Sequence, residues 1–344
     1  MIPIPLLLST FLGAAPATPP APPPAARASP QVVTFEGTCD ASGAVELGAG
    51  RFLVGDDENN VLRVYDGRTG GRPLQTFDVS AALGVTARKA QAPETDIEAA
   101  TALPPLSFWL TSHGRKSTGK PDPNRVRFFA TRLSEDGTHL EVEGKPYTRL
   151  LEDLLAAPQL SAYGLAGAAE RAPKLEGGFN LEGMTVMEDG KSFLIGFRNP
   201  RPQGKALAVT LLNPVAMMKG EPAKLGPAVL LDLDGQGIRS MSRWRGRYLI
   251  IGGSASGNEG SRLFTWNGQD EKPAVVKGAD FTGLNPEAFV SYEDRDDILV
   301  LSDDGTRLID GTECKRLKDP AARRFRGVWV PLADSPAAGD KARP

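Results

Sequence analysis

The amino-acid sequence predicts an all-β fold, a β-propeller of five blades. The first observation is that a short strand opening on a polar or acidic residue recurs five times, at 39–45, 96–101, 180–185, 237–242 and 285–290. The second is that a turn, a more apolar strand, a polar loop and a third strand follow each of them. Repeated units of three or four antiparallel strands are typical of a propeller, in which ring closure removes exposed sheet edges.

The third unit shows the pattern most clearly. Its first strand is predicted at 184–187, after Asn180 and Glu182, and a turn at 188–191 leads to the second strand at 192–197. A polar loop at 198–204 precedes the third strand at 205–212. Fourth strands are predicted at 74–79 and 229–233, and the third strand of the fifth unit at 306–309.

The two ends of the folded region are predicted to meet in the last blade. Residues 31–37 read as a strand without a unit of its own, so we expect them to complete that blade beside residues 324–331. Cys39 and Cys314, the only two cysteines, would then staple the closure as a disulfide. Two separate buried thiols are the alternative.

One segment interrupts the repeat. Residues 147–169 contain Leu150 to Leu155 in a short amphipathic helical pattern, which predicts an insertion between blades two and three. A degenerate sixth blade in this long interval is the alternative.

The chain ends have a different composition. Residues 2–15 are apolar and too short to span a bilayer, and Pro- and Ala-rich sequence follows, so residues 1–28 are predicted to be a signal peptide and linker. We expect an exported protein, periplasmic or extracellular, with one propeller domain at 31–331 and a disordered tail at 332–344. The net charge of −2 gives no support for a nucleic-acid partner. No membrane span is expected after signal cleavage, and the protein is expected to be a monomer.

Propeller geometry predicts where the polar residues converge. The start of each first strand and the loop between the second and third strands lie on one face, around the mouth of the central channel. Acids at these points are candidate ligands of Ca²⁺ or Mg²⁺, which prefer oxygen donors. These candidate metal ligands are Asp56, Asp57, Asp96, Glu98, Glu182, Glu287 and Asp303.

Basic residues on the same loops are candidates for binding a small anionic ligand, because a guanidinium pairs with both oxygens of a phosphate or carboxylate. They are Arg115, Arg125, Arg198, Arg201 and Arg239. Glu182 and His113 are the candidate catalytic residues, since carboxylates and imidazoles serve as general bases. With only two histidines and no Cys/His cluster, a zinc site is not expected. The alternative is that the acids cap strands and pair with arginines to hold the fold.

Several motifs resemble a family of secreted bacterial proteins of unknown function. They are residues 39–44 (CDASGA), 55–60 (GDDENN), 112–115 (SHGR), 196–200 (GFRNP), 237–240 (GIRS) and 302–305 (SDDG). The openings Asn180–Gly183 and Asn285–Ala288 are also similar to those of phytase-like esterase propellers. That similarity implies a metal-assisted phosphoester or ester hydrolase.

Two functions therefore remain open. The first is a Ca²⁺- or Mg²⁺-dependent hydrolase with its site at the channel mouth. The second is a propeller of the cell envelope that binds a ligand or a protein on the same face without catalysis.

Overall fold

The computed structural model describes residues 31–86, 92–257 and 260–332, which form a five-bladed β-propeller. Each blade is a four-stranded antiparallel sheet. Blade 1 contains β2 (Gly43–Gly48), β3 (Arg51–Gly55), β4 (Val61–Asp66) and β5 (Gln75–Asp78). Blade 2 contains β6 (Ile97–Leu103), β7 (Leu106–Thr111), β8 (Phe128–Leu133) and β9 (Leu140–Tyr147). Blade 3 contains β10 (Asn180–Val186), β11 (Phe193–Asn199), β12 (Ala206–Leu211) and β13 (Leu225–Leu231). Blade 4 contains β14 (Gly237–Trp244), β15 (Arg247–Gly253), β16 (Arg262–Trp266) and β17 (Ala274–Val275).

Blade 5 closes the ring with both ends of the described chain. Its strand order is β18 (Pro286–Ser291), β19 (Asp297–Ser302), β22 (Arg324–Pro331) and then β1 (Val32–Glu36) as the outermost strand. The register places Phe35 opposite Phe325, and their rings stack at 4.9 Å between centroids. The prediction that residues 31–37 complete the last blade beside 324–331 is therefore confirmed.

The prediction for the third strand of this blade was wrong. Residues 306–309 do not join the blade. Instead, β20 (Leu308–Ile309) pairs only with β21 (Thr312–Glu313) in a small hairpin inserted between β19 and β22. The third strand is β22, because its alternating apolar residues pack between β19 and β1.

The core lies between the blades and not within a single sheet. Five apolar clusters fill the five interfaces between neighbouring blades, and a sixth small cluster surrounds the two cysteines. The first strand of each blade packs against the first strand of the next, and β18 packs against β2. The inner strands therefore form a closed ring around the channel.

The insertion between blades two and three is helical, as predicted. It contains α1 (Leu150–Ala156), a 3-10 turn (Pro158–Tyr163) and α2 (Leu165–Ala169), whose buried leucines join the cluster between blades 2 and 3. A third short helix, α3 (Pro214–Met217), connects β12 to β13.

The predicted signal peptide and linker, and the predicted tail beyond Leu332, lie outside the described residues. Leu332 itself is buried between blades 4 and 5. Among the described residues, no helix has the length and apolar character needed to cross a membrane.

Candidate functional site

Irregularities in the inner strands aim charged side chains at one mouth of the channel. In blades 2 to 5 the register between the first and second strands skips one residue near the start of the first strand. A bulged residue leaves the ladder and its side chain is redirected, which is why bulges recur next to functional sites. The four skipped residues are Glu98, Glu182, Arg239 and Glu287.

Blade 1 contributes charged side chains to the same mouth from its loops, and not from a bulge at the start of its first strand. The pairing of β2 with β3 is regular from Gly43 to Glu46, and its one register shift lies at the far end of the strand, between Glu46 and Gly48. Its charged residues come from the flanking loops, with Asp40 just before β2 and Asp57 just after β3. Both side chains line the same cavity as Glu98, Glu182 and Glu287.

The cavity at this mouth has a volume of about 220 Å³. Eight carboxylates and four basic side chains line it, so the described lining carries a formal surplus of four negative charges. The acids are Asp40, Asp57, Glu58, Asp96, Glu98, Glu182, Glu287 and Asp303, and the bases are Arg125, Lys174, Arg198 and Lys315.

One half of the mouth is neutralised by arginines. Arg198 donates from Nη1 to Glu182 Oε1 at 2.8 Å, and Arg239 Nε lies 3.7 Å from Glu182 Oε2. Arg239 also forms an ion pair with Glu287 and donates to Asn285 Oδ1 at 2.7 Å. Arg239 is fully buried, and this burial beside Arg198 lowers its pKa to about 10. Each charge of this network therefore has an oppositely charged partner within the protein.

Two further acids of the mouth have basic partners. Arg125 donates from Nη1 to Asp96 Oδ2 at 2.9 Å and also pairs with Glu94. Burial raises the pKa of Asp96 to about 6, although Arg125 acts in the opposite direction. Lys315 Nζ donates to Glu58 Oε1 at 3.1 Å.

The other half of the mouth keeps its negative charge. Among the described residues, Asp40, Asp57, Glu98 and Asp303 have no ion pair with a basic side chain. The Asp40 carboxyl hydrogen-bonds that of Asp303. Asp57 Oδ1 is buried without a hydrogen-bond partner in the described part of the chain.

Electrostatics make three of these carboxylates, Asp40, Asp57 and Glu98, unfavourable as bare anions. Burial, followed by the charge of Asp303, raises the pKa of Asp57 well above its ordinary value. Burial and the charge of Glu182 do the same for Glu98, and burial and Asp57 do so for Asp40. Like charges in a poorly solvated site persist when protons or a cation compensate them. We call Asp40, Asp57, Glu98 and Asp303 the open acidic half of the mouth.

Asp56 lies next to this half, and its carboxylate already has several partners within the protein. Its carboxylate accepts hydrogen bonds from Thr38, from the Glu58 backbone and from Asn59, and Arg63 Nη1 lies 3.5 Å away. One carboxylate oxygen from each of Asp40, Asp56 and Asp57 lies within 4.8 Å of the others. The hydrogen bonds that Asp56 accepts orient the loop after β3, which carries Asp57.

Three of the predicted substrate-binding arginines do not line the cavity. Arg115 donates to Ala169 O at 2.7 Å and pairs with Glu170 of the insertion. Arg201 pairs with Glu176, and Arg239 is buried beneath the mouth. Arg125 and Arg198 do line the cavity.

The candidate base His113 is buried and also does not line the cavity. Its Nδ1 lies 2.7 Å from Thr111 O, and burial lowers its pKa to about 4, so the imidazole is neutral at pH 7. His113 adopts a left-handed backbone conformation with φ 55°. These features position the loop that follows β7.

The sequence reasoning did not select several lining residues. Asp40 had a detectable signal, because it occupies the acidic opening position of the first repeat. Lys174 and Ser117 had none, since they reach the mouth from the insertion and from the loop after β7. Among the described residues, Lys174 is the one basic lining residue without a hydrogen bond or ion pair.

The disulfide prediction is confirmed. Cys39 and Cys314 are bonded, with their Cα atoms 5.9 Å apart across a sequence separation of 275 residues.

No protein-family model and no curated protein matches the sequence. Among solved structures, the chain is similar to a glutaminyl cyclase from Myxococcus xanthus, at 11% identity over 88% of this chain and 96% of that one, with a TM-score of 0.45. It is also similar to the PQQ-bound form of an aldose sugar dehydrogenase from Streptomyces coelicolor, at 11% identity over 90% and 100% of the two chains, with a TM-score of 0.42. Superpositions of this quality carry no argument about activity. The resemblance to the secreted family and to phytase-like esterases stays a prediction.

Proposed function

We propose that this protein is a divalent-cation-dependent hydrolase of phosphoesters or esters, with its site at the acidic mouth of the propeller. The observation that carries the proposal is the open acidic half, in which Asp40, Asp57, Glu98 and Asp303 face one cavity without a basic partner in the described chain. Oxygen-only donors of this kind suit Ca²⁺, which takes six to eight oxygens in flexible geometry, and they also admit Mg²⁺.

The side-chain oxygens at this mouth fit a bound divalent cation better than they fit a purely structural role. Asp57 has a buried carboxylate oxygen without a hydrogen-bond partner among the described residues. Asn180, which is 5% exposed, lines the cavity and likewise has a side-chain oxygen without a partner there. Unsatisfied buried oxygens are costly, and a cation would satisfy both kinds.

The remaining lining residues suit an anionic substrate. A bound divalent ion supplies Lewis acidity and lowers the pKa of a coordinated water. Lys174 is available to bind a phosphate or carboxylate group as a point charge. Glu98 projects from the bulge of β6 into the cavity with its carboxylate unpaired, so it can accept a proton.

Export is part of the proposal. The buried disulfide is of the kind retained in oxidising compartments, and it supports the predicted leader at residues 1–28. The proposed location is the periplasm or the extracellular space.

The test compares wild type with D57N, and with E141Q as a matched control. Glu141 is an exposed acid on the outer strand β9 and does not line the cavity. We expect Ca²⁺ at about 100 times its Kd to stabilise wild type by about 2.7 kcal/mol. D57N should weaken Ca²⁺ binding by about 100-fold, because one carboxylate charge about 4 Å from an ion is worth a few kcal/mol near a protein surface.

Activity is measured on p-nitrophenyl phosphate and p-nitrophenyl acetate with Ca²⁺, with Mg²⁺ and with chelator. Turnover that needs the ion, falls in D57N and persists in E141Q supports the hydrolase. If neither ion changes the melting temperature nor binds in calorimetry, the proposal is wrong.

One observation favours the second function, a non-catalytic ligand-binding propeller. The guanidinium groups of Arg125 and Arg198 are already engaged by protein acceptors, which leaves fewer groups to stabilise a transition state. Cation binding without turnover of any phosphoester or ester, in wild type and E98Q alike, would favour this function.

A further inference from the structure

The open acidic half lies across the seam that closes the ring. Asp40 and Asp57 belong to blade 1, at the start of β2 and the end of β3. Asp303 belongs to blade 5 and follows β19. The chain reaches β2 directly from β1, the outermost strand of blade 5, so Asp40 lies on the segment that crosses from one blade to the other.

The disulfide joins two segments that adjoin the acids of blades 1 and 5. Cys39 is adjacent to Asp40 in sequence, and Cys314 is adjacent to Lys315, which also lines the cavity. Both cysteines are buried, at 1% and 0% exposure.

Backbone hydrogen bonds extend this link to Asp303. The Asp304 N–H donates to Cys39 O at 2.9 Å, and the Lys315 N–H donates to Gly305 O at 3.0 Å. The turn at residues 303–305 is therefore fixed between the two halves of the disulfide.

The turn at residues 303–305 packs tightly against the side chain of Asp40. A Cβ added to Gly305 would lie 1.8 Å from Asp40 Oδ1. Asp40 therefore rests directly on the backbone of the turn that carries Asp303, and a small shift of either segment changes the separation of their carboxylates.

From these contacts we propose that the Cys39–Cys314 disulfide is a positioning element of the cation site. It holds the blade 1 segment that carries Asp40 against the blade 5 turn that carries Asp303, so that both carboxylates face the same cavity and can bind one divalent cation. This inference rests on the proposed cation site and assigns the two cysteines a role in cation affinity in addition to stability.

The test measures Ca²⁺ binding by isothermal titration calorimetry in wild type and in the variant C39A/C314A, with folding checked by circular dichroism. We expect the Kd for Ca²⁺ to rise by about 5- to 150-fold, the range of typical coupling between sites. The control is Ile250→Ala in β15, a buried core truncation in blade 4 that also destabilises the fold but leaves the seam intact. Its Kd should equal that of wild type.

A second variant covers the case in which C39A/C314A does not fold. One glycine inserted between Cys39 and Asp40 keeps the disulfide but uncouples it from the acid, and it should weaken Ca²⁺ binding in the same way. If the folded cysteine variant, or this insertion variant, binds Ca²⁺ as tightly as wild type, the positioning role is overturned while the cation site stands. If wild type itself does not bind Ca²⁺, the proposed function fails first.

Discussion

Replacing Glu182 by Gln separates an architectural role of this residue from a catalytic one. Glu182 is 3% exposed at its side chain and contacts two arginines whose side chains are 4% and 0% exposed. The change keeps the shape of the side chain and removes the only charge that Arg198 pairs with among the described residues.

The expected cost follows from this burial. Breaking a buried ion pair by removing one partner costs about 3–5 kcal/mol, because the remaining charge is left uncompensated. At about 2 °C per kcal/mol for a domain of this size, the melting temperature should fall by about 6–10 °C.

The assays are urea unfolding and thermal unfolding, with E143Q as the control. Glu143 pairs with Arg132 at 3.0 Å, but both side chains are about two-fifths exposed, at 41% and 44%. Exposed pairs contribute about 0–1 kcal/mol, so E143Q should be close to wild type. If E182Q is as stable as E143Q, the architectural role of Glu182 is refuted. If that stable variant also loses Ca²⁺ binding, the result supports the prediction that Glu182 is a metal ligand.

Two further predictions concern pH and ring closure. Because burial and like charges raise the pKa of Asp57 and Glu98 in the folded protein, the cation-free folded state binds more protons than the unfolded state above their ordinary pKa. Its free energy of unfolding should therefore fall as the pH rises above the ordinary pKa of these carboxyls, and Ca²⁺ binding should release protons, as measured by calorimetry in buffers of different ionisation enthalpy. His113, with its pKa lowered to about 4, adds a slope of opposite sign only below its ordinary value of 6.5. A flat profile with no proton release would contradict this reasoning. For closure, F35A should cost about 3–5 kcal/mol in urea unfolding, because Phe35 is fully buried in the last blade. V32A, on the exposed side of the same strand, should change stability by less than about 0.5 kcal/mol, and equal effects would argue against closure through β1.

The fold was readable from the sequence because propeller units repeat a local order of strands. The outer strand at 31–37 could be placed because it had no unit of its own. The error in blade 5 has the same origin. Counting strands in order assigned residues 306–309 to the third position, but a local hairpin occupies that stretch and the true third strand comes later. Local patterns do not distinguish a hairpin within a loop from a blade strand.

The convergence of these acids at one mouth of the channel was also predictable, but the division of the mouth into a paired and an unpaired half was not. Glu98, Glu182 and Glu287 look equivalent in sequence, since each follows the start of a first strand. Their environments differ because Arg239 takes the corresponding position in blade 4 and pairs with the acids of blades 3 and 5. That pairing joins residues 57 and 48 positions apart and depends on ring geometry.

Blade 4 carries an arginine at the bulge where blades 2, 3 and 5 carry a glutamate. This difference explains why the cation site is proposed near the junction of blades 5 and 1. With four acids at the equivalent bulges, no part of the mouth would be favoured over another. An arginine in blade 4 neutralises its two neighbours, and Arg198 adds a second positive charge beside Glu182. The bulged acid of blade 2, Glu98, stays unpaired among the described residues and faces the cavity together with the acids of blade 1 and Asp303. The charge that a cation would meet is therefore concentrated where blades 5, 1 and 2 adjoin, and the disulfide fixes the chain at that same place.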